Sequence, residues 1–378
     1  MVNQDRIVNE FIELVKVDSE TKHEQNISKV LRAKLEGLGL FVEEDEAAAV
    51  TGHGANNLLA VLEPSGTDEG VPAIFFTCHM DTVVPGVGIK PQIDPDGYIR
   101  SDGTTILGSD DKAGIAALFE AVRIVQENNI PHGRIQFVIT VGEESGLVGA
   151  RALDPSKLIA DYGYAVDSNG RIGDIAVAAP AQAKVTIKLH GRSAHAGVNP
   201  EDGISAIQVA SKAVSYMPLG RIDKDTTANI GSFAGGGATN VVCDYVELSA
   251  EARSTVQEKL DSQLAAMREA VDKAASEYGA SGEVESEIVY PGYKHGDDSR
   301  VVQVAQAAAR AIGLEPRTFQ SGGGSDANVF NGKGVPTVNL AVGYEHIHTT
   351  KEQIKIDSLV KIAELVVSII QVSAKTDK

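Results

Sequence analysis

Cysteine is scarce in this 378-residue sequence, which holds only Cys78 and Cys243. A single possible pair cannot staple a chain of this length, so a secreted disulfide scaffold is excluded. No apolar stretch approaches the roughly 20 residues that span a bilayer. The opening residues Met1 to Lys16 are polar and acidic, with Ile7, Phe11, Leu14 and Val15 at helical spacing. They lack the basic start and apolar run of a signal peptide, and a cytoplasmic location is expected. Positive charge is also in deficit: the formal net charge is -18. Such a surface repels nucleic acid and anionic lipid, so neither nucleic acid nor membrane is expected as a partner. No G-x-S-x-G occurs, which argues against serine-hydrolase chemistry. Walker A and G-x-G-x-x-G patterns are absent as well, which argues against nucleotide use. There is no repeat at solenoid spacing and no low-complexity tract.

What is present is enough chain for a sizeable core and two domains. Ile27, Val30, Leu31, Leu35 and Leu38 fit one helix face. Asn57 to Leu62 reads as a strand, and Ala73 to Cys78 as a strand buried on both faces, because its apolar run is continuous. Apolar residues at Ile115, Leu118, Phe119, Val122 and Val125 predict a helix over Lys112 to Asn128. Arg134 to Val141 and Gly163 to Val166 read as further strands. This alternation predicts an α/β domain with helices on both faces of its sheet. The pattern changes at Ala183 to His190, which alternates strictly, as a half-exposed strand does. A helix at Ile204 to Met217, strands near Thr227 to Gly231 and Tyr245 to Ala252, and a helix at Val256 to Tyr278 follow. Residues 179–291 are therefore expected to form an inserted α+β domain. The first pattern then returns with a helix at Val301 to Ile312, a strand at Pro336 to Val342 and a helix at Ile354 to Val372. The main domain would be discontinuous, 1–178 and 292–378.

Five acid- and histidine-bearing motifs stand out. In Thr77-Cys78-His79-Met80-Asp81-Thr82, His79 and Asp81 follow a buried strand, where ligands bind in open α/β sheets. Asp81 is placed to fix the second ring nitrogen of a metal-binding His79. In Gly108-Ser109-Asp110-Asp111-Lys112-Ala113-Gly114, one acid can cap the following helix, but the second is unexplained. In Gly142-Glu143-Glu144-Ser145-Gly146, adjacent glutamates at a strand end repel each other unless a cation resolves the cost. Asp167 follows a fourth short strand, and Glu345-His346-Ile347-His348 precedes the last helix. Each motif alone admits a bland reading as cap, surface or filler. As a set they fall where a parallel sheet gathers strand ends. Zinc takes four ligands from His and carboxylate. Five protein ligands suffice for two zincs if Asp110 and a water both bridge: His79, Asp110 and Asp167 on one side, Asp110, Glu144 and a histidine on the other. Two metals would acidify the water and polarise a carbonyl. Glu143 would then act as general base, taking the water's proton to the leaving amine.

The motifs, in this order and over essentially the whole chain, resemble the co-catalytic zinc peptidases that include peptidase T, carboxypeptidase G, the aminoacylases and succinyl-diaminopimelate desuccinylase. The Gly108 to Gly114 motif and Gly231 to Asn240 look most like peptidase T-like proteins, although peptidase T proper is somewhat longer. The resemblance implies a zinc-exopeptidase-like catalytic domain with a mixed, largely parallel sheet, plus the insert as lid and dimerisation domain of a homodimer. It selects His348 over His346, because Glu352 follows at the family spacing. It also implies two Zn2+ per subunit, with Co2+ or Mn2+ as substitutes. His195, in Gly191-Arg192-Ser193-Ala194-His195-Ala196-Gly197, would reach the partner subunit's site and stabilise the oxyanion. Asn240 and Arg253 would contact substrate, Arg253 through a bidentate carboxylate pair. The remaining histidines, His53 and His132 among them, read as surface or loop residues. The expected activity is hydrolysis of short peptides, as by a tripeptide aminopeptidase. An N-acyl amino acid amidohydrolase or carboxypeptidase on the same centre is the alternative. A non-catalytic metal-binding protein is disfavoured, since it has no use for the spare base Glu143.

Overall fold

The computed structural model describes residues 1–67 and 70–375, which form two compact units. The first comprises Met1–Ala178, His295–Ser321 and Ser325–Lys378, and the second Ala179–Lys294 with Gly322–Gly324. The second unit thus extends past 291 and takes in Gly322–Gly324.

In the first unit the continuous apolar runs become the middle of a sheet. Its strands run in the order Phe41–Glu44, Leu58–Leu62, Ile135–Thr140, Ile74–His79, Tyr162–Ser168, Thr337–Ala341 and Asp174–Ala179. The four from Ile135–Thr140 to Thr337–Ala341 are mutually parallel, and the flanking pairs are antiparallel. The sheet is therefore mixed and largely parallel, as the family resemblance implies. Both faces of the middle strands are covered, which is why their sequences do not alternate. Ile74, Phe76 and Cys78 join a core with residues of the helices Gln4–Val15, Ser109–Glu127, Arg300–Ala311 and Ile356–Ser373. On the other face Phe75 meets Phe330 of the short helix Asp326–Gly332 edge-on, with ring centroids 5.0 Å apart. Burying each such ring contributes about 1.5–3 kcal/mol, so this stack anchors the strand ends above it.

Two local features position the site. The helix Ser109–Glu127 opens irregularly, since Asp110 and Asp111 hold non-helical backbone angles. It packs so closely on the strand ends that a Cβ on Gly114 would lie 2.5 Å from the Val166 carbonyl oxygen and 2.8 Å from Cys78 Sγ. A small antiparallel sheet in the order Tyr344–Glu345, Gln353–Lys355, Tyr98–Arg100, Gln92–Ile93 holds the loop that carries His346 and His348. Its strands are two or three residues long, too short for any periodic signal.

The second unit is an antiparallel five-stranded sheet in the order Gly220–Arg221, Thr226–Gly235, Tyr245–Ser254, Ala181–His190, Ser281–Tyr290. The alternating residues Ala183, Val185, Ile187 and Leu189 are buried with residues of the helices Ala206–Tyr216 and Gln257–Tyr278. The edge strand Ser281–Tyr290 escapes sequence reading because Glu283, Glu285 and Glu287 interrupt its apolar signal. Among the described residues no helix is long and apolar enough to cross a membrane.

Candidate metal centre

His79 is the last residue of its strand and lies opposite Thr140 at the end of the next. Its Nδ1 faces the backbone oxygen of Asp81 at 3.0 Å, with the Asp81 carboxylate at 3.5 Å. The ring is thus fixed chiefly by the Asp81 carbonyl rather than by its side chain. The Asp81 carboxylate instead accepts the backbone N–H groups of Glu143 and Glu144, at 3.0 and 3.3 Å. Burial alone would raise Asp81, but His79 and these donors hold it below the usual carboxylate range.

The other edge of His79 faces the cluster. Its Nε2 lies 3.1 Å from Asp110 Oδ1 and 3.7 Å from Asp167 Oδ1. The second oxygen of Asp110 lies 3.2 Å from His348 Nε2, which is also 2.9 Å from Glu144 Oε1. Asp110 therefore presents one oxygen to each histidine. Asp167 is oriented by three contacts: its Oδ1 accepts from Tyr344 Oη at 3.1 Å, its N–H donates to Asn339 Oδ1, and its carbonyl accepts from Asn339 Nδ2. Donor atoms come within 4.8 Å of one another in two sets, His79 with Asp110 and Glu144, and His79 with Asp111 and Asp167. Asp111, the other acid of the adjacent pair, is held differently from Asp110. One of its oxygens accepts the His79 N–H at 3.3 Å, and the other points down towards Gly114 and Cys78. That second oxygen is buried without a hydrogen bond.

Electrostatics favour a cation here. Burial and the negative charge of Asp110 push Asp167 up to about 7. Desolvation in its recess, with Asp167, Asp326 and Glu144 nearby, pushes Glu143 well above the usual range. Asp110 and Glu144 push His348 up to about 10. Too many carboxylates thus share too few positive charges. Glu144 Oε1 is buried without a well-aligned hydrogen bond even though His348 Nε2 is 2.9 Å away. Two lone-pair donors so close and so misaligned suit a shared cation between them. The nitrogen and oxygen donor set fits zinc or a neighbouring divalent transition ion.

Several residues around this centre carry no legible signal in the sequence. Asn339 and Tyr344 reach Asp167 across 172 and 177 positions. Asp326 lies buried with Oδ2 accepting from Thr140 Oγ1 at 2.5 Å, and burial pushes it up to about 6. His53 and His132 stand in connecting segments, as expected, but are buried rather than on the surface. His53 Nε2 sits 2.9 Å from Ser145 Oγ in the loop that carries Glu143.

His195, Asn240 and Arg253 lie in the second unit. His195 and Asn240 are brought together: Ala196 N–H donates to the Asn240 carbonyl, and His195 bridges Val241. Both are exposed. Arg253 does not offer a free fork. Its Nε and Nη2 pair with the two oxygens of Glu251 at 2.9 and 3.1 Å, and Nη1 lies 3.5 Å from Tyr290 Oη. The strand ion pair is thus what this structure contains, since Glu251 lies two residues away on the same sheet face.

Comparison with known proteins agrees with this geometry. The sequence pattern described as peptidase family M20/M25/M40 matches residues 75–372. A Bacillus subtilis (strain 168) protein named "Uncharacterized protein YqjE" is 58% identical, over 99% of this chain and all of that one. The crystal structure of aminopeptidase PepT from Bacillus cereus superposes with a TM-score of 0.94 at 60% identity, covering 99% of this chain and 100% of that one. That of a tripeptidase from Staphylococcus aureus superposes with a TM-score of 0.96 at 49% identity, over the whole of both chains. With its family pattern spanning most of the sequence, the chain belongs to peptidase family M20/M25/M40 and is a metal-dependent peptidase.

Proposed function

We propose that the protein is a di-zinc aminopeptidase that removes the N-terminal residue of short peptides, tripeptides above all. The observation that carries the reading is Asp110, whose two oxygens face the two histidines on opposite sides of the cluster. His79, Asp110 and Asp167 would hold one Zn2+, and Asp110, Glu144 and His348 the other, with Co2+ or Mn2+ as substitutes. When bound, the ions supply an acidified water and a polarised scissile carbonyl. Glu143 takes the proton of the attacking water at its carboxylate and delivers it to the leaving amine. Desolvation and the neighbouring carboxylates raise its proton affinity, and bound cations would lower it. Asp81 acts by position, joining the His79 ring to the backbone that carries Glu143.

Tripeptide preference rests on the two solved relatives, one an aminopeptidase and the other a tripeptidase. We assign His195 to oxyanion stabilisation in the partner subunit of a cytoplasmic homodimer formed through the second unit, on the strength of its motif. Asn240 and Arg253 are assigned to substrate. Arg253 would have to exchange its Glu251 partner for a peptide carboxylate. The test is a hydrolysis screen of tripeptides, dipeptides and N-acetyl amino acids with Zn2+, Co2+ or Mn2+. Release of the N-terminal residue from tripeptides as the fastest reaction is expected. Faster cleavage of N-acetyl amino acids would overturn the reading.

A further inference from the structure

Glu352 is almost completely buried, and the mechanism above gives it no role. Its carboxylate is the most heavily hydrogen-bonded acid at the centre. Oε2 accepts the backbone N–H groups of Leu107 and Gly108, at 2.8 and 2.9 Å. Oε1 accepts Ser109 N–H at 2.7 Å, Ser109 Oγ at 2.6 Å and Asp110 N–H at 3.1 Å. These are the open donors at the start of the helix Ser109–Glu127, whose N-cap Gly108 provides no side chain. Glu352 caps that helix from more than 240 residues away, and the donors it collects end at Asp110.

The other end of Glu352 leads to His348, four residues earlier in the same loop. A metal-binding histidine ordinarily has its second nitrogen held by a carboxylate or carbonyl. His79 has this through Asp81, whereas among the described residues no hydrogen bond or ion pair holds His348 Nδ1. The His348 side chain is also 48% exposed. Its place therefore depends on its backbone. That backbone is pinned on one side by the small sheet and on the other by Glu352, where Glu352 N–H also bonds the Thr349 carbonyl at 3.1 Å.

We propose that Glu352 is a positioning residue that sets the separation of Asp110 and His348, and so the affinity of the ion those two share with Glu144. This rests on the two-metal reading of the site. Glutamine in its place keeps one good acceptor and turns an amide N–H2 towards the row of N–H donors. Aspartate keeps both acceptors on a stem one methylene shorter.

The experiment titrates metal-free wild type, Glu352→Gln and Glu352→Asp with Zn2+ against a chromophoric chelator, with thermal melting of each metal-free protein as the folding control. Wild type is expected to take two ions per chain. Glu352→Gln should bind the ion on the His348 side about 10–100-fold more weakly, in the range of lost outer-shell support, and the ion on the His79 side, which also uses Asp110, should weaken by a smaller factor. Glu352→Asp should fall between, and it carries the test if the glutamine variant does not fold. Activity should follow the metal: reduced at limiting Zn2+ and restored in excess. Wild-type affinity in a folded variant, or activity that excess Zn2+ does not restore, overturns the inference. A wild type that binds fewer than two ions overturns the two-metal reading, and this inference with it.

Discussion

Replacing Glu143 by glutamine tests the assignment of the base most directly. Among the described residues the Glu143 side chain pairs with neither His79 nor His348, whereas Glu144 Oε1 lies 2.9 Å from His348 Nε2. Glutamine preserves the size of Glu143 and one acceptor oxygen but cannot take a proton. Loss of a general base costs on the order of 10²–10⁴-fold in rate. At about 1.36 kcal/mol per tenfold, that adds roughly 3–5 kcal/mol to the barrier. Glu143→Gln should therefore show kcat lower by that factor, an unchanged KM within about threefold, and two metals per chain by elemental analysis. The metal-free variant should melt higher than metal-free wild type, because one of several mutually repelling carboxylates at the centre has been neutralised. Glu144→Gln should behave in the opposite way, losing metal. A Glu143→Gln enzyme within tenfold of wild type, or one that loses metal while Glu144→Gln keeps it, would refute the assignment.

Other perturbations follow from the same geometry. Chelation should abolish activity and lower the melting temperature, and Zn2+ at 1,000 times its dissociation constant should restore about 4 kcal/mol of stability per bound ion, measured by calorimetry with and without metal. Tyr344→Phe removes the 3.1 Å hydrogen bond to Asp167 Oδ1 and should weaken the ion on the His79 side about tenfold or more, while leaving the ion on the His348 side nearly unchanged in a chelator competition. Gly114→Ala places a Cβ 2.5 Å from both Asp111 Oδ1 and the Val166 carbonyl, so it should cost about 1–3 kcal/mol by denaturant titration and also weaken metal binding, because relief requires the helix to lift off the strands.

The legible parts of this protein are those where physics acts over neighbouring residues. A strand buried on both faces must be apolar throughout, so Ile74–His79 and Ile135–Thr140 announce themselves, and the acids placed just beyond them announce a site. The helix over Lys112 to Glu127 is equally plain from its apolar spacing. Its first turn is not, because Asp110 and Asp111 leave helical geometry to serve the cluster rather than the helix. Arg253 shows what a motif match does not reveal: in this structure a carboxylate two residues away on the same face pairs with the guanidinium.

The illegible parts are those where one residue serves another across the fold. Tyr344 and Asn339 hold Asp167, and Glu352 holds Asp110, over distances in sequence that no local pattern encodes. The small sheet around His348 has strands of two or three residues and so generates no period to detect. The division has a physical cause. Ligands sit at strand ends because a parallel sheet delivers several chain segments to one edge, and the sheet betrays itself by its apolar runs. The groups that orient those ligands need only one well-placed donor or acceptor each, which any segment passing nearby can supply. Ligand identity is therefore tied to the architecture, whereas orientation is supplied by whichever residue the packed fold brings within hydrogen-bond reach. Glu352 is the instructive intermediate. Its spacing from His348 is local and can be read, but its function is to seat a loop 242 residues away at Asp110, and only the fold reveals that.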